Sequence, residues 1–110
     1  SRPVAIVTGG TRGIGSGISE ALADAGYDLL LTYNSDIDAA SSFAQSLRNR
    51  DSPNNKNNKN NDDNICVECI GGDISLESTR DAIFAKFDSS FSNQKLGAMI
   101  HNAGQYVGIT

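Results

Sequence analysis

A glycine-rich stretch near the start of the chain has the composition of a phosphate-binding turn. It reads Thr8-Gly9-Gly10-Thr11-Arg12-Gly13-Ile14-Gly15 and lies between a short apolar segment and a segment of helical periodicity. Gly9 would allow a sharp exit from a strand, Gly13 would let a pyrophosphate approach the backbone, and Gly15 would let the helix pack closely on the sheet. The N–H groups at the start of that helix favour phosphate. The spacing therefore predicts a dinucleotide site.

Two other interpretations of these glycines are weaker. A P-loop requires Gly-Lys followed by Ser or Thr, and the first lysine of this chain is Lys56. Glycines that serve only a tight turn would explain Gly9, but they would not explain three glycines at the start of one helix.

Three motifs in chain order resemble those of the short-chain dehydrogenase/reductase family. Thr8-Gly9-x-x-x-Gly13-x-Gly15 is similar to the family's cofactor motif, whereas the epimerase-like branch would have a glycine at position 12, where this chain has Arg12. Asp73-Ile74 resembles the acidic contact to adenine. Asn102-Ala103-Gly104 resembles the Asn-Asn-Ala-Gly motif, with His101 in place of the first asparagine. The cofactor-binding residues implied are Gly9, Thr11, Arg12, Gly13, Ile14, Gly15, Tyr33, Asn34, Ser35, Asp73, Ile74, Asn102, Ala103 and Gly104.

The residues around the glycine turn predict NADPH rather than NADH. An NAD site usually has an acid at the end of the second strand, which binds the ribose 2′-hydroxyl. Here Tyr33 stands at that position, followed by Asn34 and Ser35, so no carboxylate is expected to repel a 2′-phosphate. Arg12 lies where similar NADP-dependent members carry a basic residue, and its planar guanidinium suits a phosphate. The alternative is that Arg12 is a solvated surface side chain.

The resemblance implies hydride transfer between NADP(H) and a small or lipid-like carbonyl or alcohol, with a catalytic serine, tyrosine and lysine. The tyrosine and lysine follow the pattern Tyr-x-x-x-Lys, but the residues four places after the three tyrosines are Leu31, Ile37 and Thr110. The catalytic residues are therefore expected beyond Thr110, and the 110-residue chain alone is expected to be inactive. Two alternatives stay open: a non-catalytic NADP(H)-binding module that regulates a partner, and an inactive truncated product.

Two cysteines and one histidine are the remaining candidates for chemistry. Cys66 and Cys69 form a single Cys-x-x-Cys within a predicted strand, where residues three apart face opposite sides. A zinc site would need two further ligands, and His101 is the one histidine of the chain. Ordinary strand cysteines and a structural His101 are the favoured interpretations.

The elements that must position these residues alternate along the chain. Apolar segments predict strands at 3–7, 28–33, 65–70 and 96–100, and helical spacing of apolar residues predicts a helix in each interval. Gly26 would end the first helix, and Ser35 would be the N-cap of the second. The predicted helix faces comprise Ile14, Ile18, Leu22 and Ala25; Ile37, Ala40, Phe43, Ala44 and Leu47; and Leu76, Ile83, Phe84, Phe87 and Phe91. This alternation predicts a Rossmann-like, doubly wound parallel sheet whose fourth strand forms an edge.

Composition bounds the function classes. The net charge of −4 provides no basic field for nucleic acid, and no apolar run approaches the roughly 20 residues of a membrane span. Residues 1–110 are interpreted as one NAD(P)-binding domain. Residues 51–64, of which seven are asparagine, are predicted to be a disordered loop. The resemblance implies a homo-oligomer for the full-length protein. A cytoplasmic location is favoured, with an organellar one left open.

Overall fold

The chain alternates strands and helices throughout the described residues. The computed structural model describes residues 2–49 and 65–102. In chain order the elements are β1 (Val4–Thr8), α1 (Gly13–Asp24), β2 (Asp28–Tyr33), α2 (Ile37–Asn49), β3 (Val67–Gly71), α3 (Glu77–Ser90) and β4 (Leu96–His101). All seven predicted elements are present, with ends within a few residues of expectation. The predicted loop at 51–64 lies outside the described residues.

The four strands form one parallel sheet in the order β3-β2-β1-β4. This order confirms the Rossmann-like fold class. Two crossovers carry the chain outward from β1 to β3, and the third returns it to the other side of β1. The carboxyl ends of all strands therefore meet at one edge of the sheet, where ligands of open α/β folds bind. Within the described residues, β4 is an edge strand, as predicted, and Leu96 and Met99 on it are 42% and 48% exposed.

The core has one layer on each face of the sheet, because β1 is covered on both sides. Every residue of β1 is fully buried. On one face, alternate residues of β1 and β2 pack against α1 and α2: Ala5, Val7, Leu29, Leu31, Ala23, Ala44 and Leu47. On the other face, the intervening residues pack against α3 and the chain after it: Val4, Ile6, Leu30, Ile83 and Phe91. This arrangement explains why β1 and β2 lack the polar alternation of a half-exposed strand.

Five positions of the predicted helix faces are exposed: Ile14, Ala25, Ile37, Leu76 and Phe84. Ala25 is the C-cap residue of α1 and Leu76 is the N-cap residue of α3, so both lie at helix ends. Ile14 is 79% exposed because it lies in the first turn of α1, beyond the end of the sheet. Ile37 occupies the corresponding first turn of α2 and is also exposed. Phe84 is 44% exposed because the buried face of α3 runs through Thr79 and Ile83, and the next residue after Ile83 is turned by about 100° around the helix. These parts of the predicted faces are therefore wrong.

The N-cap predicted for the second helix is displaced by one residue. The backbone N–H of Ala39 donates to Oδ1 of Asp36 at 3.0 Å. Asp36 is therefore the capping side chain, and Ser35 instead accepts from the Ile37 N–H through its carbonyl oxygen. Asp and Ser cap helices almost equally well, so composition alone does not distinguish the two positions.

A buried carboxylate joins the strands at their amino-terminal ends, on the side of the sheet opposite the glycine-rich turn of residues 8–15. Asp28 is 6% exposed and begins β2. Its Oδ1 accepts the Cys66 N–H at 2.9 Å, its Oδ2 accepts from Nε2 of Gln94 at 2.8 Å, and Nε of Arg2 lies 3.8 Å from Oδ1. Asp28 thus connects the starts of β2 and β3 with the segment that leads into β4. No sequence pattern singled it out.

The two cysteines lie on opposite faces of the sheet. Cys66 packs against the core layer of α3, and Cys69 packs against the layer of α1 and α2. Both thiols are free, and burial raises the pKa of each. The described part of the chain contains no cluster of three or more metal-ligating side chains.

None of the helices in residues 2–49 and 65–102 is long and apolar enough to cross a membrane.

Candidate functional site

An open cavity of about 490 Å³ lies at the carboxyl ends of β1 and β2. Its walls come from the glycine turn, from the segment that follows β2, and from the residue that follows β4. The lining residues are Gly9, Thr11, Arg12, Gly13, Ile14, Tyr33, Asn34, Ser35, Asp36 and Asn102. The structure therefore brings together most of the predicted site residues, although they come from three separate parts of the sequence.

The glycine turn is held in place by the neighbouring strand and by its own helix. The Gly9 N–H donates to Oγ1 of Thr32 at 3.0 Å, and the Gly10 N–H donates to the Thr32 carbonyl at 3.2 Å. The buried Ser19 hydroxyl lies 2.8 Å from the carbonyl oxygen of Gly10 and 2.9 Å from that of Gly15. These hydrogen bonds join the turn to β2 and to α1, and the opposite side of the turn faces the cavity.

Two features of the turn require glycine. Gly9 and Gly13 have φ values of 64° and 56°, in the left-handed region that side chains disfavour. Gly15 is buried beneath the turn, and a Cβ built on it would overlap the carbonyl oxygen of Gly9 and lie 2.7 Å from Nδ2 of Asn102. Gly15 is therefore a packing position that brings α1 against the turn, and it does not line the cavity.

Asn102 closes the turn from the end of β4. Its Nδ2 donates to the Gly9 carbonyl at 3.2 Å, and its backbone N–H donates to Oγ1 of Thr8 at 2.9 Å. The Thr8 hydroxyl also lies 3.4 Å from Nδ1 of the exposed His101. Asn102 lines the cavity as well. Ala103 and Gly104 lie outside the described residues.

The start of α1 provides the positive side of the cavity. Arg12 precedes the helix in an extended conformation, and its side chain is exposed along the cavity wall. The first turn of α1 contains no acidic residue. The N–H groups of that turn and the Arg12 guanidinium therefore both favour an anion here.

The segment after β2 contributes a carboxylate that sequence analysis did not place in the site. Tyr33, Asn34 and Ser35 line the cavity as expected, and Asp36 lines it beside them. Asp36 caps α2 through Oδ1. The expectation that no carboxylate follows β2 in this site is therefore corrected. The signal that could have revealed it is an N-capping acid directly before a helical apolar face.

The acidic residue after β3 lies outside the cavity lining. Asp73 is exposed, and its Oδ1 accepts from the Ser75 N–H at 3.0 Å and from the Ser75 hydroxyl at 2.7 Å. These two hydrogen bonds lower the pKa of the Asp73 carboxyl. Ile74 packs partly buried against the core layer of α3. The predicted contacts of Asp73 and Ile74 with adenine stay predictions.

Comparison with known protein families identifies the chain. The model of the short chain dehydrogenase family matches residues 3–109, which is nearly the whole sequence. The chain belongs to the short chain dehydrogenase family. This family of oxidoreductases accounts for the order of the elements, for the glycine turn and for Asn102 after β4.

Individual relatives match different lengths of the chain. An acetoacetyl-CoA reductase of Paracoccus denitrificans is 52% identical over 42 residues, which are 38% of this chain and 17% of that protein. A 3-oxoacyl-[acyl-carrier protein] reductase from Brucella melitensis superposes with a TM-score of 0.72 at 30% identity, over 96% of this chain and 35% of the relative. YwfH, an NADPH dependent reductase involved in bacilysin biosynthesis, superposes with a TM-score of 0.72 at 27% identity, over 94% of this chain and 35% of the relative. The chain thus spans little more than a third of these structures.

Proposed function

We propose that this chain forms the NADP(H)-binding part of an oxidoreductase that interconverts a carbonyl and an alcohol. The observation that carries the proposal is Arg12, which is exposed on the wall of a cavity at the phosphate-binding end of α1. A guanidinium matches the geometry of a phosphate, and the 2′-phosphate is the group that distinguishes NADP(H) from NAD(H).

The residues present fit such a cofactor. The closely packed Gly15 leaves the N–H groups of the α1 first turn accessible for the pyrophosphate. The ribose and its 2′-phosphate would be held by Arg12, Asn34 and Ser35, which all line the cavity. The path toward the nicotinamide would be bordered by Thr11 and Asn102. Bound NADPH supplies the hydride for reduction of a carbonyl. The role of this chain is to bind and orient it.

Asp36 is the feature that opposes this preference, because a carboxylate repels a phosphate. Its Oδ1 accepts the Ala39 N–H, and the amide dipoles at the start of α2 offset part of its charge. We therefore assign to Asp36 the role of N-cap of α2, and to Arg12 the selection of NADP(H) over NAD(H).

The similar proteins support the substrate class. YwfH is described as NADPH dependent, and the Paracoccus and Brucella proteins are reductases of acetoacetyl-CoA and of 3-oxoacyl chains on acyl carrier protein. A small or lipid-like carbonyl is the corresponding proposal here. The 110 residues contain no Tyr-x-x-x-Lys, so this chain is not assigned the proton transfer. A cytoplasmic homo-oligomer is the assembly we propose for the full-length protein.

The test is the affinity of the full-length protein for both cofactors before and after Arg12→Ala. Hydrogen bonds to charged groups contribute about 1.5–3 kcal/mol, so we expect the Kd for NADPH to rise roughly 10- to 150-fold and that for NADH to change little. Lys86→Ala is the matched control, because it removes one positive charge from a surface pair with Glu68. An NADPH affinity that is equal in Arg12→Ala and Lys86→Ala would refute the assignment.

A further inference from the structure

The ends of β2 and β3 bring Tyr33 against Gly71. The two residues are partners in the parallel register, and the Gly72 N–H donates to the Tyr33 carbonyl at 3.0 Å. Tyr33 is half-buried and lines the cavity, whereas Gly71 does not line it. The tyrosine ring therefore stands between Gly71 and the proposed cofactor site.

Gly71 contacts the face of the Tyr33 ring. A Cβ built on Gly71 would lie 2.7 Å from both Cε2 and Cζ of Tyr33 and 2.9 Å from its Oη. Three bonded atoms at nearly equal distances place this position over the plane of the ring, because an approach along the ring edge would bring Oη much closer than the carbons. Any side chain at position 71 would occupy the space that the ring now fills.

The backbone beneath the ring is held in place by α3. A Cβ built on Gly72 would lie 2.8 Å from Oγ1 and 2.9 Å from Cγ2 of Thr79, and Thr79 is buried. The segment of Gly71 and Gly72 is thus packed between the Tyr33 ring and α3. Gly71 is otherwise exposed, and its backbone limits how closely the Tyr33 ring can approach β3.

We propose that Gly71 is a positioning residue, whose missing side chain lets the Tyr33 ring lie flat and offer its other face to the adenine of the cofactor. The inference rests on the proposed NADP(H) binding, and it adds the Tyr33 ring at the end of β2 to the adenine contacts predicted for Asp73 and Ile74. Bases stack on aromatic side chains with about 1–3 kcal/mol per base, which corresponds to roughly 5- to 150-fold in affinity.

Gly71→Ala should leave the fold intact. The atoms that a methyl group would meet belong to the far end of one flexible side chain, and the backbone of Gly71 does not have a positive φ. The Tyr33 ring can therefore turn away from the new methyl group, which moves the ring from its position on the cavity wall. Gly17→Ala is the matched control, because a Cβ built on Gly17 meets nothing within 4 Å.

The experiment is a double-mutant cycle on the full-length protein, with adenosine 2′,5′-bisphosphate as the probe and its Kd as the readout. We expect Tyr33→Ala to weaken binding by about 5- to 150-fold and Gly71→Ala to weaken it by a comparable factor. The Gly71→Ala change should add nothing in the Tyr33→Ala background, because it acts through the ring. Gly17→Ala should bind like the unmodified protein.

Three results would overturn the inference while the unmodified protein still binds NADPH. The first is an unchanged Kd for the probe in Gly71→Ala. The second is that Gly71→Ala weakens binding of the probe by the same factor in the unmodified protein and in Tyr33→Ala. The third is that Tyr33→Phe and Tyr33→Leu weaken binding of the probe equally. The last comparison does not depend on Gly71→Ala folding, because the inference requires Phe to retain most of the affinity that Leu loses. Failure of the unmodified protein to bind NADPH would instead refute the proposed function itself.

Discussion

Gly15 and Gly17 lie two residues apart in α1, and replacement of each by alanine should change stability in opposite directions. Alanine is better than glycine in a helix by about 1 kcal/mol, and both positions gain this amount. A Cβ on Gly17 meets nothing within 4 Å, so Gly17→Ala should stabilise the protein by up to about 1 kcal/mol. A Cβ on Gly15 overlaps the Gly9 carbonyl oxygen and lies 2.8 Å from the Gly9 carbonyl carbon.

The overlap at Gly15 involves backbone, which cannot move aside as a side chain can. Overpacking of this kind costs typically 1–3 kcal/mol, and the upper end applies when helix and turn must separate. About 3 kcal/mol of strain less about 1 kcal/mol of helix propensity leaves Gly15→Ala destabilised by roughly 2 kcal/mol. The difference between the two variants is therefore about 3 kcal/mol.

Urea denaturation of the protein measures this difference through the transition midpoints at equal slope. A parallel titration with NADPH should show weaker binding by Gly15→Ala, because separation of α1 from Gly9 moves the N–H groups of the turn. If Gly15→Ala were as stable as Gly17→Ala, the close contact between α1 and the turn would be wrong.

Two further predictions concern groups outside the cavity. Asp28→Ala should lower stability by roughly 2–4 kcal/mol, because it removes the acceptor of the Cys66 N–H, one of the two acceptors of Gln94 Nε2 and the ion-pair partner of Arg2. An unchanged urea midpoint would contradict this. Burial raises the pKa of the Cys66 and Cys69 thiols. At pH 8 both thiols should therefore be alkylated more slowly in the folded protein than in the protein unfolded by urea. Both thiols have a higher pKa in the folded protein than in the unfolded protein. The two protonated thiols therefore contribute their full stability below the unfolded-state pKa, and this contribution is lost as the pH rises through the folded-state pKa values. Equal alkylation rates in native and unfolded protein would refute the burial argument.

The order of elements could be predicted from the sequence because each signal is local. Apolar β-branched runs, helical spacing and Gly26 after α1 each act within a few residues. Gly26 has a φ of 101°, as expected of a glycine that ends a helix. The right-handed crossover rule then leaves few ways to assemble alternating strands and helices. The strand order does not follow from these signals alone. It follows from the doubly wound fold class that they indicate, in which the chain returns from β3 to the other side of β1.

The errors occur where exposure depends on what lies beyond the end of an element. Ile14 continues the apolar spacing of α1, but the sheet ends before it, so the side chain faces the cavity. Phe84 has helical spacing to Phe87, yet the sheet contacts only the face that carries Thr79 and Ile83. Periodicity gives the direction of a side chain around the helix axis, and it does not give the extent of the surface that covers it.

The cross-strand contact in the site depends on register, which no local signal determines. Tyr33 pairs with Gly71, and a shift of β3 by one residue would place Ile70 or Gly72 at that position. A shift would also exchange the two faces of β3, and it would move Cys69 from the core layer of α1 and α2 to that of α3. The apolar requirements of both layers therefore select the register, and this register places the glycine of β3, Gly71, beneath the Tyr33 ring. The aromatic wall is thus a consequence of core packing on both faces of the sheet, which explains why the glycine turn could be recognised from the sequence and the support of Tyr33 could not.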